Sequence, residues 1–196
     1  MRSGYRRSLK GWVTWLLPTL LLLGIAACAR PGSELPILPA PADHAYRLGA
    51  GDQLRVITFG EEKLTDDFRV NDSGTLSLPL VGSLQATGLT TGELETSLRT
   101  ALAKAKLLND PSVAIEVIAY RPIFILGEVS HPGQFPYQPG MTVVTAVAVA
   151  GGFTYRAVDD YVAVVRSLDG KPVEGRASRQ SLLLPGDVVT VFERRF

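Results

Sequence analysis

From Tyr46 to Phe192 the apolar residues recur at every second position in short runs between glycine- and proline-rich turns, and they shift to a helical period in two places. A chain with that pattern builds small sheets with one or two helices laid on them, so the expected fold class is α+β. Leu54, Val56 and Thr58 follow the turn Gly49-Ala50-Gly51-Asp52 and begin a strand. Arg69-Val70 and residues 75–80 flank Asn71-Asp72-Ser73-Gly74, which tolerate positive φ, and the two flanks are expected to pair as a hairpin. Leu94, Leu98, Ala101, Leu102 and Ala105 then form one helical stripe, with Thr90 and Glu93 at capping-box spacing and Glu95 and Arg99 placed to pair on the outer side. Asn109-Asp110-Pro111 stops that helix, and Val113, Ile115 and Val117 return to a strand.

The second half reads as β, short helix, β. Residues 123–129 are strand-like up to Ser130-His131-Pro132-Gly133, and Phe135 and Tyr137 continue the alternation. Thr142 caps a short helix whose Val143, Ala146, Val147 and Ala150 share a face, and Gly151-Gly152 ends it. Residues 161–166 and 188–192 supply the later strands. Gly51-Asp52-Gln53-Leu54-Arg55-Val56-Ile57 is echoed by Gly186-Asp187-Val188-Val189-Thr190-Val191-Phe192. In each copy the aspartate can accept nearby amides before the strand starts, and two such turns would set the terminal strands side by side.

Charge and composition exclude whole classes of function. The 196 residues carry 20 Lys+Arg against 19 Asp+Glu, so no basic field recommends a nucleic-acid partner. With Cys28 the single cysteine and His44 and His131 the two histidines, neither a disulfide framework nor a Cys/His zinc site can be assembled within the chain. No metal and no cofactor is expected.

The N-terminus reads as an address. Arg2, Arg6, Arg7 and Lys10 precede an apolar run over residues 12–27, interrupted by Pro18 and Gly24, and small residues lead into Cys28. As a membrane-spanning anchor, about 16 apolar residues would be marginal for a hydrocarbon core of roughly 30 Å. Gly24-Ile25-Ala26-Ala27-Cys28 resembles a bacterial lipoprotein box, which implies cleavage of a signal peptide over residues 1–27 and acylation of Cys28. Ala29, which is not an aspartate, then implies release to the outer membrane. The chain without residues 1–27 keeps 16 basic and 19 acidic residues. Pro31, Pro36, Pro39 and Pro41 make residues 28–43 an extended tether between lipid and domain.

Paired carboxylates and loop residues are the candidates for chemistry. Asp66-Asp67 and Asp159-Asp160 raise the option of a periplasmic glycan-modifying enzyme, but neighbours on a strand point to opposite faces and in turns they are solvated. Gly151-Gly152 lacks the Lys-Ser/Thr of a phosphate loop and ends a helix instead of starting one. Glu128, His131 and Tyr137 are candidates to face a glycan or a neighbouring subunit. Tyr137 and Phe135 read at least as well as core or interface residues.

Tyr46-Arg47-Leu48-Gly49-Ala50-Gly51-Asp52-Gln53-Leu54-Arg55-Val56 resembles the opening of the outer-membrane polysaccharide export family. That family's later landmarks follow in order: Asp72-Ser73-Gly74-Thr75-Leu76-Ser77-Leu78-Pro79-Leu80-Val81-Gly82, Gly88-Leu89-Thr90, the capped helix and Pro111-Ser112-Val113. Ile125-Leu126-Gly127-Glu128-Val129, with Pro132-Gly133, Pro139-Gly140 and Ala150-Gly151-Gly152, is similar to its soluble-ligand-binding β-grasp (SLBB) module. The resemblance implies a polysaccharide-export α/β domain over residues 44–120 and a β-grasp domain over 121–192, the last strand being a candidate to return to the export domain. It further implies a non-enzymatic lipoprotein at the periplasmic face of the outer membrane. Such a protein forms a homo-oligomeric ring, conducts capsular or extracellular polysaccharide and works with an inner-membrane copolymerase. The best-known members continue into a further module and a pore helix, whereas this chain stops at Phe196, which implies a short form that either stops at the periplasmic face or works with a separate outer-membrane channel. An accessory polysaccharide-binding lipoprotein that never forms a ring is the other alternative.

Overall fold

In the computed structural model residues 30–40, 45–108, 110–168 and 170–194 are described, and all the regular elements belong to one unit, Pro31–Phe196. Strand β1, Gln53–Thr58, is central in a three-stranded antiparallel sheet, with β2, Asp66–Arg69, on one side and β5, Val113–Ala119, on the other. Leu54, Val56 and Thr58 turn inward, as period two requires, and helix α1, Thr91–Lys104, covers them with Leu94, Leu98 and Leu102. Burying a leucine stabilises by roughly 1.5–3 kcal/mol, so this stripe fixes the helix on the sheet. The Thr90–Glu93 capping box forms on both sides, leaving two of the helix's first amides satisfied.

Two local expectations change here. The Asn71–Gly74 turn forms, with the Asn71 side chain accepting from the Thr75 amide, but its flanks do not pair with each other. Val70 instead exchanges backbone bonds with the first Gly-Asp turn, which commits β2 to β1. Strand β3, Thr75–Leu78, pairs with β4, Gly82–Gln85, across a turn in which Leu80 takes φ +66°. On α1, the Glu95 carboxylate does not hold Arg99: it accepts the Ile115 amide of β5 at 2.9 Å, tying helix to strand, while Arg99 reaches the Glu95 carbonyl and the Thr96 hydroxyl.

The second sheet has the order β7-β6-β10-β8-β9. Its strands are β6, Ile123–Gly127; β7, Gly133–Phe135; β8, Tyr161–Leu168; β9, Lys171–Ser178; and β10, Val188–Val191. Helix α2, Val143–Val149, starts at the Thr142 cap and buries Val143, Ala146 and Val147 in the core beneath the sheet, with Ala150 following on the same face. Strand β6 ends at Gly127, two residues earlier than the alternation predicts. That glycine has φ +83°, and a β-carbon there would lie 2.0 Å from the Val191 carbonyl oxygen. The last strand does not return to the first sheet. β10 is central in the second sheet, parallel to β6 and antiparallel to β8, so β1 and β10 do not lie side by side.

The proline-rich stretch also departs from a free tether over residues 31–40. Ile37 bridges to Arg176 of β9 in parallel, the Leu38 amide donates to the Arg176 carbonyl, and the Arg176 amide donates to the Pro36 carbonyl. Leu38 sits in the second core because Gly175 leaves space: a β-carbon there would meet the Leu38 backbone at 2.7 Å. Proline lacks the amide hydrogen but keeps its carbonyl, and three of these prolines use theirs as acceptors, for the Tyr161 hydroxyl, the Arg176 amide and the Arg166 guanidinium. The segment therefore covers the β9 edge, which would otherwise offer unpaired backbone groups.

Candidate functional site

Polar groups gather at the two ends of β6, and they differ in kind. At its N-terminal end, Tyr120, Arg121 and Pro122 connect β5 to β6 beside the first Gly-Asp turn. Asp52 is fully buried and accepts from the Gly49 amide at 2.8 Å, the Arg121 amide at 3.0 Å and the Tyr46 hydroxyl at 2.5 Å. The Arg121 guanidinium stands 3.4 Å from the same carboxylate and also donates to the Tyr46 oxygen. Burial, then the hydrogen bond to Asp52, pushes the Tyr46 phenol far above its usual range. Tyr46, Tyr120 and Tyr137 stack edge to face, with ring centroids 4.9 and 5.5 Å apart.

The second Gly-Asp turn repeats the first. Asp187 accepts the Leu184 amide three residues back, as Asp52 accepts Gly49, and its carboxylate takes both arms of Arg166 at 3.0 and 2.7 Å. Arg166 is almost fully buried and spends another donor on the Leu182 carbonyl. Buried charges that are paired and hydrogen-bonded in this way act as structural supports.

At the C-terminal end of β6 the chain runs Gly127-Glu128-Val129-Ser130-His131 against Ala150-Gly151-Gly152-Phe153-Thr154. The Ser130 amide donates to the Gly152 carbonyl, the His131 amide to Ala150 and the Thr154 amide to Glu128, and Val129 bridges to Phe153. The Thr154 hydroxyl donates to the Glu128 carboxylate at 2.5 Å. The His131 ring lies over Gly151, where a β-carbon would come within 2.5 Å of Nδ1. The Gly-Glu-Val and Ala-Gly-Gly motifs are thus two halves of one zipped loop pair.

The structure brings Glu128 and His131 together at this exposed end, with Glu128 half-buried and His131 exposed. It places Tyr137 elsewhere. That ring is half-buried against the second core and against Tyr120, and burial raises its phenol pKa. Phe135 packs on the same core. Cys28 and His44 lie outside the described residues. Sequence reasoning missed Tyr155, 87% exposed on the turn after Thr154, and the buried Arg166. Arg166 did leave a signal, since it shares the inward parity of Val162 and Val164 on β8.

The carboxylate pairs are engaged locally. Arg55 clamps Asp67 across the β1–β2 ladder at 2.7 and 3.0 Å and holds its carboxyl below the usual range, and Asp66 accepts the Asp67 amide. Arg194 donates to Asp159 at 2.8 Å. An apolar notch between β1, β3 and α1 is lined by Leu64, Leu78, Pro79, Val81, Leu98 and Leu102, with Thr58 as its polar member, and that hydroxyl donates to the Leu64 carbonyl. Among the described residues no group of three or more His, Cys, Asp or Glu is placed to hold a metal, and no helix is long and apolar enough to cross a membrane.

Residues 40–118 match the family described as polysaccharide biosynthesis/export protein, and residues 122–177 match the SLBB domain. The exopolysaccharide production protein ExoF of Rhizobium meliloti is 37% identical over 176 residues, covering 82% of this chain and 40% of that protein. The EPS I polysaccharide export outer membrane protein EpsA of Ralstonia solanacearum is 27% identical, covering 93% of this chain and 56% of its own length. The capsule polysaccharide export outer membrane protein CtrA of Neisseria meningitidis is 29% identical, covering 82% and 43%. The chain therefore spans about half the length of these curated relatives or less.

Proposed function

The chain belongs to the polysaccharide biosynthesis/export family, and from that premise we propose that it is a lipid-anchored subunit of a homo-oligomeric ring that guides a capsular or extracellular polysaccharide out of the periplasm. The observation that carries this reading is that this chain matches, in order, the export family and the SLBB domain, and is similar to proteins named for exopolysaccharide production and polysaccharide export. No bond in the polymer is broken. The buried acids are engaged by arginine, tyrosine and backbone amides, and the chain's task is to hold a passage of fixed shape.

The fold suits such a subunit. Head-to-tail contacts between identical copies close into a ring only if each copy repeats the same angle, which a loose joint between two modules would spoil. Here the joint is stiffened by the three-tyrosine stack and by Arg121, whose amide and guanidinium both engage Asp52. With Cys28 acylated and the chain held from Pro31 onward, first by the Tyr161 hydroxyl of β8 and then along β9, the leash is three residues long, about 10 Å when extended. Such an anchor holds the β-grasp module close to the periplasmic face of the outer membrane, with more than one acyl chain needed for stable attachment. An inner-membrane copolymerase delivers the polymer. Contacts along the passage are numerous and individually weak, because tight binding would stall the strand.

Deleting the gene is expected to abolish secreted or surface polysaccharide while synthesis of lipid-linked repeat units continues; unchanged secretion in a strain without a paralogue refutes the role. Native mass spectrometry of the full chain in detergent tests the ring, and only monomers at high concentration would count against it. Cys28→Ser, followed by metabolic labelling with palmitate, tests the anchor.

A further inference from the structure

Tyr155 is a large aromatic ring held almost wholly in water on a turn that does not move freely. The Thr154 carbonyl accepts the Ala157 amide, the Thr154 hydroxyl accepts the Arg156 amide and donates to Glu128, and the Arg156 carbonyl accepts the Arg194 amide. On the next residue, the Arg156 guanidinium pairs with Glu193, the first charged residue beyond β10. An exposed ring costs its solvation without the return of burial, so a ring this open on a braced turn invites a partner surface.

We infer that Tyr155, next to Arg156 on the turn that the Thr154 hydroxyl ties to Glu128, is a saccharide-contact site that stacks on a pyranose ring of the passing polymer. The chemistry fits at each point. A sugar ring presents a face of C–H bonds and a rim of hydroxyls; the electron-rich tyrosine face attracts the first, and groups that donate and accept serve the second. On the same turn and the loop tied to it, Arg156 supplies planar donors and half-exposed Glu128 an acceptor. Because the turn and the zipped loops 128–131 and 150–154 are already fixed, stacking costs little ordering entropy. One ring per subunit is a weak contact, and a closed assembly repeats it around the passage, which suits transport better than one strong site. Tyr137 cannot take this role, since its ring is engaged with Tyr120 and the second core.

The inference rests on the export reading, and the test separates the two. Saturation-transfer NMR on the full chain in detergent, with short oligosaccharides from partial acid hydrolysis of the strain's own secreted polymer, should show transfer to sugar ring protons. Tyr155→Ala should weaken that binding about fivefold or more, Tyr155→Phe should keep most of it, and Phe59→Ala, at a ring equally exposed in the other module, should leave it unchanged. Absence of transfer with the wild-type chain, equal transfer with Tyr155→Ala, or equal loss with Phe59→Ala each overturns the site. In cells, Tyr155→Ala should reduce secretion while the protein accumulates normally. If gene deletion abolishes secretion but Tyr155→Ala secretes and binds as the wild type does, the site is wrong and the export role stands. Unchanged secretion on deletion defeats the role itself.

Discussion

The two glycine–aspartate turns share a backbone and differ in the arginine that each one holds. In both, glycine takes positive φ and the aspartate accepts the amide three residues back. Arg166 meets Asp187 with two aligned donors from a buried position, whereas Arg121 meets Asp52 with one ion-pair contact at 3.4 Å and keeps 29% of its side chain in water. The Arg121 Nε is buried without a hydrogen-bond partner. The remaining demand on Asp52 is met by Tyr46 and by the Arg121 amide. The same local motif thus serves a rigid core clamp in one module and a joint between modules in the other.

The comparison is broken most directly by removing each carboxylate. Asp187→Ala leaves Arg166 charged and unpaired in the core and is expected to cost about 3–5 kcal/mol of unfolding free energy in urea titrations. Asp52→Ala should cost less, about 2–3 kcal/mol, because Arg121 can turn toward water. Equal losses would mean that both turns are the same kind of support. Replacing Arg166 and Asp187 together by Met and Leu should recover much of the single-mutant loss, as a clamp made of charge and desolvation predicts.

Backbone closeness provides a test of middle size. Gly127→Ala forces a β-carbon against the Val191 carbonyl at a positive φ, with no flexible side chain to give way, and should cost at least about 2 kcal/mol. Its effect should be confined to the second module, leaving the α1 core intact by hydrogen exchange. Thr90→Ala, which removes the α1 cap, is expected to cost about 1 kcal/mol and to act in the first module.

What the sequence made legible follows from whether the signal was local. The α1 stripe and its capping box, and the α2 face with Thr142 before it, depend on spacing and side-chain type, and both helices lie where spacing puts them. Strand partners depend on contacts far along the chain. Nothing in Asn71-Asp72-Ser73-Gly74 says that Val70 will be taken by the Gly51-Asp52 turn, so the hairpin expectation failed while the turn itself formed. The prolines of residues 31–40 correctly exclude helix, but the docking of Leu38 depends on a missing side chain at Gly175, well over a hundred residues away. At the candidate site, the alternation Phe135–Tyr137 identified two rings that the core uses, whereas Tyr155 stands outside any periodic run and has no pattern to announce it.

The smallest expected effect sharpens the comparison where the two turns diverge, at Tyr46. Its phenol is raised by burial first and by the Asp52 hydrogen bond second, so the folded chain keeps this proton at a pH where the unfolded chain gives it up. The stability it supplies is fully present below the unfolded phenol pKa near 10 and is lost as pH rises beyond that toward the higher folded value. Urea midpoints measured from pH 8 to 11 should therefore fall more steeply for the wild-type chain than for Tyr46→Phe. That variant should cost about 1 kcal/mol at neutral pH from the lost hydrogen bond to Asp52. Tyr137 is raised as well, by burial, and remains in both chains, so the difference between their slopes belongs to Tyr46. If the Tyr46→Phe slope matches the wild type, the phenol carries no proton-linked share of the joint, and the stiffness between the modules rests on ring stacking and Arg121 alone.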